Sequence, residues 1–165
     1  MLDAEDFDEF YRSTRGRVCA YLYALTGDLA EAQDVTQDAY ARAWERWAKV
    51  RTYDSPESWV RIVARRLATN RWRKALSRRI AHRRHGLVDS TPGPTEDLVA
   101  ITAALRQIPE PQRVAIVLHH LMGLTVEQVA RETGVAEGTV KARLSRGRGA
   151  LSALLSVDVE EPDHA

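Results

Sequence analysis
Within EGTVKARLSRGRGAL, residues 137 to 151, four cations (Lys141, Arg143, Arg146 and Arg148) are interleaved with Thr139, Ala142 and Ser145 at spacings that recur along one side of a helix. These side chains offer charge-assisted hydrogen bonds to phosphate and donors for the edges of bases, which is the chemistry of nucleic-acid recognition. A second cationic stretch, from Arg61 to Arg84, holds ten basic residues and no carboxylate. Acids collect elsewhere, at Asp3, Glu5, Asp6, Asp8 and Glu9 and again at Asp158, Glu160, Glu161 and Asp163. A net charge of +1, from 24 basic and 23 acidic side chains, conceals this segregation. Two surfaces for polyanions and separate surfaces for basic partners follow from it.

Enzymatic chemistry finds no equivalent foothold. There is no P-loop, no H-E-x-x-H, no G-x-S-x-G and no cysteine pair. Cys19 stands alone, which excludes an internal disulfide or a zinc site of several thiolates, and its apolar neighbours mark it as a small core hydrophobe. His119 and His120 are adjacent, and His82 and His85 lie in a basic run, but neither pair has an acid or thiol ligand beside it. The expectation is therefore no catalytic residue, no metal and no cofactor. The N-terminus is acidic where a signal peptide is basic, and no apolar run approaches the roughly 20 residues of a membrane span. A cytoplasmic protein without membrane contact is expected.

The elements that must position the basic residues are helical throughout. Phe7, Phe10, Tyr11, Val18, Tyr21, Leu22 and Leu25 recur at helical spacing before Gly27 stops the run. Asp28, with Glu31 three residues on, has the pattern of a capping box opening a second helix through Val35, Ala39, Trp44 and Trp47, whose two tryptophans are expected in the core. Ser55 and Pro56 suit the N-cap and first position of a third helix carrying Trp59, Ile62, Val63 and Leu67. Residues 85–97 lose periodicity around Pro92, Gly93 and Pro94 and read as a flexible linker. Beyond it come a stripe of Leu98, Ile101, Leu105 and Ile108 and another of Val114, Val117, Leu118 and Leu121, separated by Pro109 and Pro111 and ended by Gly123. The fold class is all-α: two small helical domains, residues 1–84 and 98–155, joined by the linker and followed by an acidic tail at 156–165.

The second domain ends in a helix-turn-helix. Thr125 and Gln128 form a capping pattern, and Ala130, Gly134 and Val140 follow at the spacing where two helices cross closely. The crossing needs a small side chain, the turn a residue tolerant of positive φ, and the second helix an apolar anchor. Val129, Val135 and Leu144 complete the small core. Glu137, Thr139, Lys141, Ala142, Ser145, Arg146 and Arg148 are left facing outward, as a major-groove reading helix requires. A basic solvated face on an ordinary helical hairpin is the competing interpretation.

D-V-T-Q-D-A-Y-A-R-A-W (34–44), P-E-S-W-V-R-I-V-A-R-R-L-A-T-N-R-W-R-K (56–74) and G-T-V-K-A-R-L-S-R-G-R (138–148), in that order, resemble the sigma-70 family. Within it the chain is similar to the two-domain extracytoplasmic-function (ECF, group IV) sigma factors, and in particular to their SigE-type actinobacterial branch, over roughly residues 5 to 155. The resemblance implies a first domain that binds core RNA polymerase and opens the minus-ten element, and a second that reads the minus-thirty-five element. It places polymerase contacts, to the clamp helices of the largest subunit, on Asp34, Gln37 and Asp38; without it, these three would be an ordinary solvated face.

The same resemblance assigns minus-ten DNA contacts to Tyr53, Arg61, Arg65, Arg66, Asn70, Arg71, Arg73 and Lys74, with an unstacked base received in the loop at 50–54. Trp59 and Trp72 are as well suited to the core or its edge as to stacking. Minus-thirty-five contacts fall on Thr139, Lys141, Ala142, Arg143, Ser145, Arg146 and Arg148. Ala142 stands where many relatives have Ser, Lys141 where many have Arg, and Arg66 where many have Asn, so the promoter sequence does not transfer from a relative. Relatives are commonly held by an anti-sigma factor; the acidic tail modulates such contacts or is a frayed end. A linker of about a dozen residues extends to roughly 40 Å, enough for the domains to dock separately. The alternative function is a helix-turn-helix transcriptional regulator that does not bind core polymerase directly, although no ligand motif or dimerising seam supports it.

Overall fold
The computed structural model describes residues 2–78 and 93–157, which are helical with no strand among them. The chain divides into two compact units, Met1–Gly93 and Pro94–Ala165. Most of the span assigned to a linker lies outside the described residues, as does the acidic tail from residue 158.

In the first unit, α1 (Leu2–Thr26), α2 (Leu29–Glu45) and α4 (Pro56–Arg78) pack on one another, with the single turn α3 (Trp47–Val50) between the last two. Gly27, at φ 69°, takes the left-handed conformation that ends α1, and its N–H is 2.7 Å from the Tyr23 carbonyl. Asp28 then caps α2 by accepting the Glu31 N–H at 3.1 Å. Only this half of the expected capping box is built, because the Glu31 carboxylate turns toward Arg71. Ser55 caps α4 by accepting the Ser58 N–H at 3.2 Å, with Pro56 at its first position. Such caps contribute about 0.5–2 kcal/mol each.

Small side chains set the interior. Ala24, Ala32, Val35, Ala39, Ala43, Val60 and Ala64 are buried beside Val18, Tyr21 and Leu22, letting the three helices approach closely. At one end Phe7, Phe10 and Tyr11 of α1 meet Tyr40, Trp44 and Trp47. The Tyr40 hydroxyl lies 2.6 Å from Thr14 Oγ1, which also donates to the Phe10 carbonyl at 2.6 Å. Cys19 sits half-buried at the edge of this core, its thiol pKa pushed up by burial against a smaller opposing effect of Thr36.

Two sequence expectations, both on the second helix, are corrected. The second helix stops at Glu45 instead of running through Trp47: Arg46 leaves helical geometry at φ −118°, ψ 18°, and the chain redirects Trp47 onto Phe10. Trp44 is 49% exposed, because it lies at the edge of the buried stripe, with its ring against Phe7. In α4 the innermost line is Val60, Arg61 and Ala64, while Trp59, Ile62, Val63 and Leu67 are half-buried.

The second unit begins at α5 (Glu96–Leu105), capped by Thr95, whose hydroxyl accepts the Leu98 N–H at 3.3 Å. The helix thus starts inside the stretch read as linker. Its buried residues are Thr102, Ala104 and Leu105, with Ile101 left exposed at the edge, and Ile108 is buried in the turn that follows the helix. Arg113 of α6 (Glu110–Ile116) donates to the carbonyls of Leu105 and Ile108 at 2.9 and 3.0 Å, satisfying acceptors left over at the end of α5. From Val117 to Leu121 the same helix widens into a π turn, closed by a 3.0 Å bond from the Met122 N–H to the Val117 carbonyl. After Gly123, at φ 74°, come α7 (Val126–Thr133) and α8 (Glu137–Val157).

Candidate nucleic-acid interface
The helix-turn-helix of the second unit is assembled from the residues its sequence singles out. Thr125 and Gln128 cap α7 reciprocally, at 3.1 Å and 2.9 Å. Gly134 ends α7 in the left-handed conformation at φ 70°, and its N–H and that of Val135 both reach the Ala130 carbonyl, at 2.9 and 3.2 Å. Ala130 is buried at the crossing, with Val129, Val140 and Leu144 around it. Val140 is fully buried, which fixes the rotation of α8 and so decides what it shows outward. Thr139, Lys141, Ala142, Ser145, Arg146 and Arg148 are exposed, and Arg143 is half-buried. Lys141, Ala142, Ser145 and Arg146 share one face, at spacings of one, four and five residues.

Two contacts in this unit carry no sequence signal. Gly147 is buried against α6, so close that a Cβ there would lie 2.6 Å from Ile116 Cδ1. Arg148 Nη1 lies 3.4 Å from His120 Nε2. A guanidinium only donates, so that imidazole nitrogen is the acceptor. The pKa of His120 is lowered by burial first and then by His119 and Arg148. His119 Nδ1 lies 2.7 Å from the Leu124 carbonyl beyond the π turn. The two histidines thus serve a cation and the backbone. Among the described residues no cluster of three or more His, Cys, Asp or Glu is placed to hold a metal ion.

In the first unit the basic helix α4 sorts its cations by side. Arg65, Arg66, Asn70 and Arg73, with Thr69, line one shallow hollow, and Lys74 continues the exposed surface. Tyr53 is 37% exposed in the turn before the helix, and Trp72 is 64% exposed, so the core placement considered for Trp72 is excluded. Two residues expected on this surface are not on it. Arg61 is 5% exposed: it points between the helices, 3.5 Å from Glu57, which also holds Arg17 at 2.7 and 3.0 Å. Buried beside a carboxylate, Arg61 is placed as a packing element and not on the exposed face of α4. Arg71 turns the other way, to an ion pair with Asp38 and to Glu31 at 3.5 Å.

Asp34, Gln37 and Asp38 share one face of α2, with Asp34 half-buried and the other two exposed. Carboxylates and an amide so placed suit pairing with basic helices of another protein.

Comparison with known proteins matches both units. Residues 10–80 fit the model of sigma-70 region 2, and residues 98–151 fit that of sigma-70 region 4. The ECF RNA polymerase sigma factor SigM of Mycobacterium tuberculosis is 33% identical over 159 residues, covering 93% of this chain and 79% of SigM. The probable RNA polymerase sigma factor RfaY of Xanthomonas campestris is 31% identical over 142 residues, and there the match spans only 36% of the relative. Among solved structures, the sigma factor RpoE of Bartonella quintana, in complex with the anti-sigma factor NepR, superposes with a TM-score of 0.77 at 27% identity, over 93% of this chain and 99% of that one.

Proposed function
The chain belongs to the sigma-70 family of RNA polymerase sigma factors, in its extracytoplasmic-function group, and from that premise we propose how its two units divide the work of promoter recognition and opening. The face of α2 bearing Asp34, Gln37 and Asp38 docks on the basic side chains of the clamp helices of core RNA polymerase. The hollow of Arg65, Arg66, Asn70 and Arg73, extended by Lys74, holds the backbone of the minus-ten strand, while Tyr53 and the exposed Trp72 offer ring faces to unstacked bases. Stacking of about 1–3 kcal/mol per base offsets the cost of unpairing.

The outward face of α8 reads the minus-thirty-five element from the major groove. Lys141, Ala142, Ser145 and Arg146 meet base edges, while Arg143 and Arg148 hold phosphates. Placement in the SigE-type branch, a cytoplasmic site of action and control by an anti-sigma factor belong to the same proposal; the structural likeness to RpoE in its complex with NepR supports the last. The observation that carries the functional reading is the pairing, in one chain, of a polar α2 face and an exposed basic α4 with a separate helix-turn-helix.

The test is selection by reconstituted holoenzyme. Core polymerase with this chain, offered a library of random upstream sequences, is expected to enrich two short elements at a fixed separation. Enrichment of one element alone, or equal transcription without the chain, would contradict the division of labour.

A further inference from the structure
Arg71 is set apart from the other cations of α4. Its guanidinium is ion-paired with Asp38 through Nη2 and lies 3.5 Å from Glu31 Oε1 through Nη1, so one side chain spans two turns of α2. The three side chains are 35%, 52% and 35% exposed for Arg71, Asp38 and Glu31, which leaves the bridge within reach of incoming partners. Asn70 and Arg73, its close neighbours on the helix, line the basic hollow. Residues one and two apart point to different sides of a helix, so Arg71 faces α2 while the hollow opens on another side; exposed Lys74, three residues on, is its neighbour on the surface and marks the edge where a released Arg71 meets the strand. Asp38, in turn, belongs to the docking face, and a carboxylate engaged by a polymerase cation pairs less well with Arg71.

We propose that Glu31 and Asp38 form a charge latch that holds Arg71 away from DNA in the free protein, and that docking of polymerase on Asp38 releases Arg71 to the promoter strand. The inference rests on the docking face and strand-binding hollow proposed above and adds Glu31 as a positioning residue that touches neither partner. Linkage makes the effect reciprocal: a phosphate that captures Arg71 frees Asp38 and tightens polymerase binding by the same factor. Exposed ion pairs are weak singly, so the latch is expected to shift affinity by about three- to tenfold. A shift of that size biases the order of binding without preventing it.

The test measures binding of the full chain, without polymerase, to a fluorescein-labelled single-stranded oligonucleotide of mixed sequence. The variant Glu31→Gln/Asp38→Asn is expected to bind about three- to tenfold tighter. Adding Arg71→Gln removes that gain, whereas Arg71→Gln alone changes little. Glu9→Gln/Glu45→Gln, which removes the same charge from exposed acids outside the bridge, gives a clearly smaller gain. A gain no larger than this control, or one that persists with Arg71→Gln, overturns the latch. A merely structural bridge would lower the melting temperature and leave oligonucleotide affinity alone. Glu31→Gln alone, which keeps the docking residue Asp38, is expected to bind the oligonucleotide tighter in the free chain; in holoenzyme that advantage is expected to shrink, and an undiminished advantage overturns the release step. The underlying reading fails separately: Arg73→Gln/Lys74→Gln must weaken oligonucleotide binding in the free chain, and if it does not, the hollow is not the strand site.

Discussion

Two glycines in one helix, Gly147 and Gly149, should respond in opposite ways to the same substitution. Replacing Gly by Ala in a helix interior contributes about 0.5–1 kcal/mol through the lower entropy of the unfolded chain. At Gly149 nothing lies within 4 Å of the added methyl, so the whole gain is expected. At Gly147 the methyl would meet Ile116 Cδ1 at 2.6 Å, Ile116 Cγ1 at 3.1 Å and Gln112 Cβ at 3.4 Å. The Cδ1 atom is a free end and can turn away, but Cγ1 sits on a β-branched, buried side chain with few rotamers to choose from. Overpacking of this kind costs about 1–3 kcal/mol, which exceeds the propensity gain.

The net expectation is that Gly149→Ala raises the melting temperature of the second unit by roughly 2–8 °C, while Gly147→Ala lowers it or at best leaves it unchanged. The assay is thermal unfolding of the full chain followed by far-ultraviolet circular dichroism and tryptophan fluorescence together. Every Phe, Trp and Tyr of the chain lies at or before Trp72, so fluorescence reports the first unit and serves as an internal reference. Ile116→Val in the Gly147→Ala background removes the 2.6 Å contact and should recover part of the loss. Equal stabilisation by Gly147→Ala and Gly149→Ala would refute the close approach of α6 and α8.

Tyr40→Phe should cost about 0.5–1.5 kcal/mol at neutral pH, from the lost hydrogen bond to Thr14. It should also flatten the alkaline limb of the stability curve. Burial pushes the Tyr40 hydroxyl up to about 12. A pKa raised in the folded state stabilises fully below the unfolded value near 10 and is lost between there and the folded value, about 2–3 kcal/mol in all. Denaturant titrations of both proteins at pH 8 and 11, read by fluorescence, check the sign. Arg61→Gln should destabilise the first unit by about 1–3 kcal/mol through the disturbed Glu57 contact while leaving oligonucleotide affinity of the folded protein unchanged; a selective loss of affinity would assign Arg61 to DNA instead of packing. Arg146→Ala is expected to weaken transcription only from promoters carrying the minus-thirty-five element, by about five- to a hundredfold if a bidentate base contact is lost; equal loss with and without that element would remove Arg146 from base reading.

The helix-turn-helix was legible because its geometry depends on a few residue types. A small residue at the crossing, a glycine where φ is positive and a buried valine are constraints that any close helix pair imposes, and Ala130, Gly134 and Val140 meet them. The first unit was less legible because basic residues do not announce which way they point. Arg61, Arg66 and Arg71 are equivalent in sequence, yet one is buried, one faces the hollow and one bridges to α2. That sorting follows from the rotation of α4, set by Val60 and Ala64 against the neighbouring helices. The break at Arg46 and the π turn at Val117–Leu121 were also invisible, since neither carries a Pro or Gly to mark it.

The measurement that bears most directly on the central claim is co-elution of the purified chain with bacterial core RNA polymerase on a sizing column, beside the variant Asp34→Arg/Gln37→Ala. The wild type is expected to travel with the polymerase and the variant to elute alone with unchanged helicity. Free elution of the wild type, or co-elution of both proteins alike, would contradict the docking face on α2 and with it the account of how the two units reach a promoter.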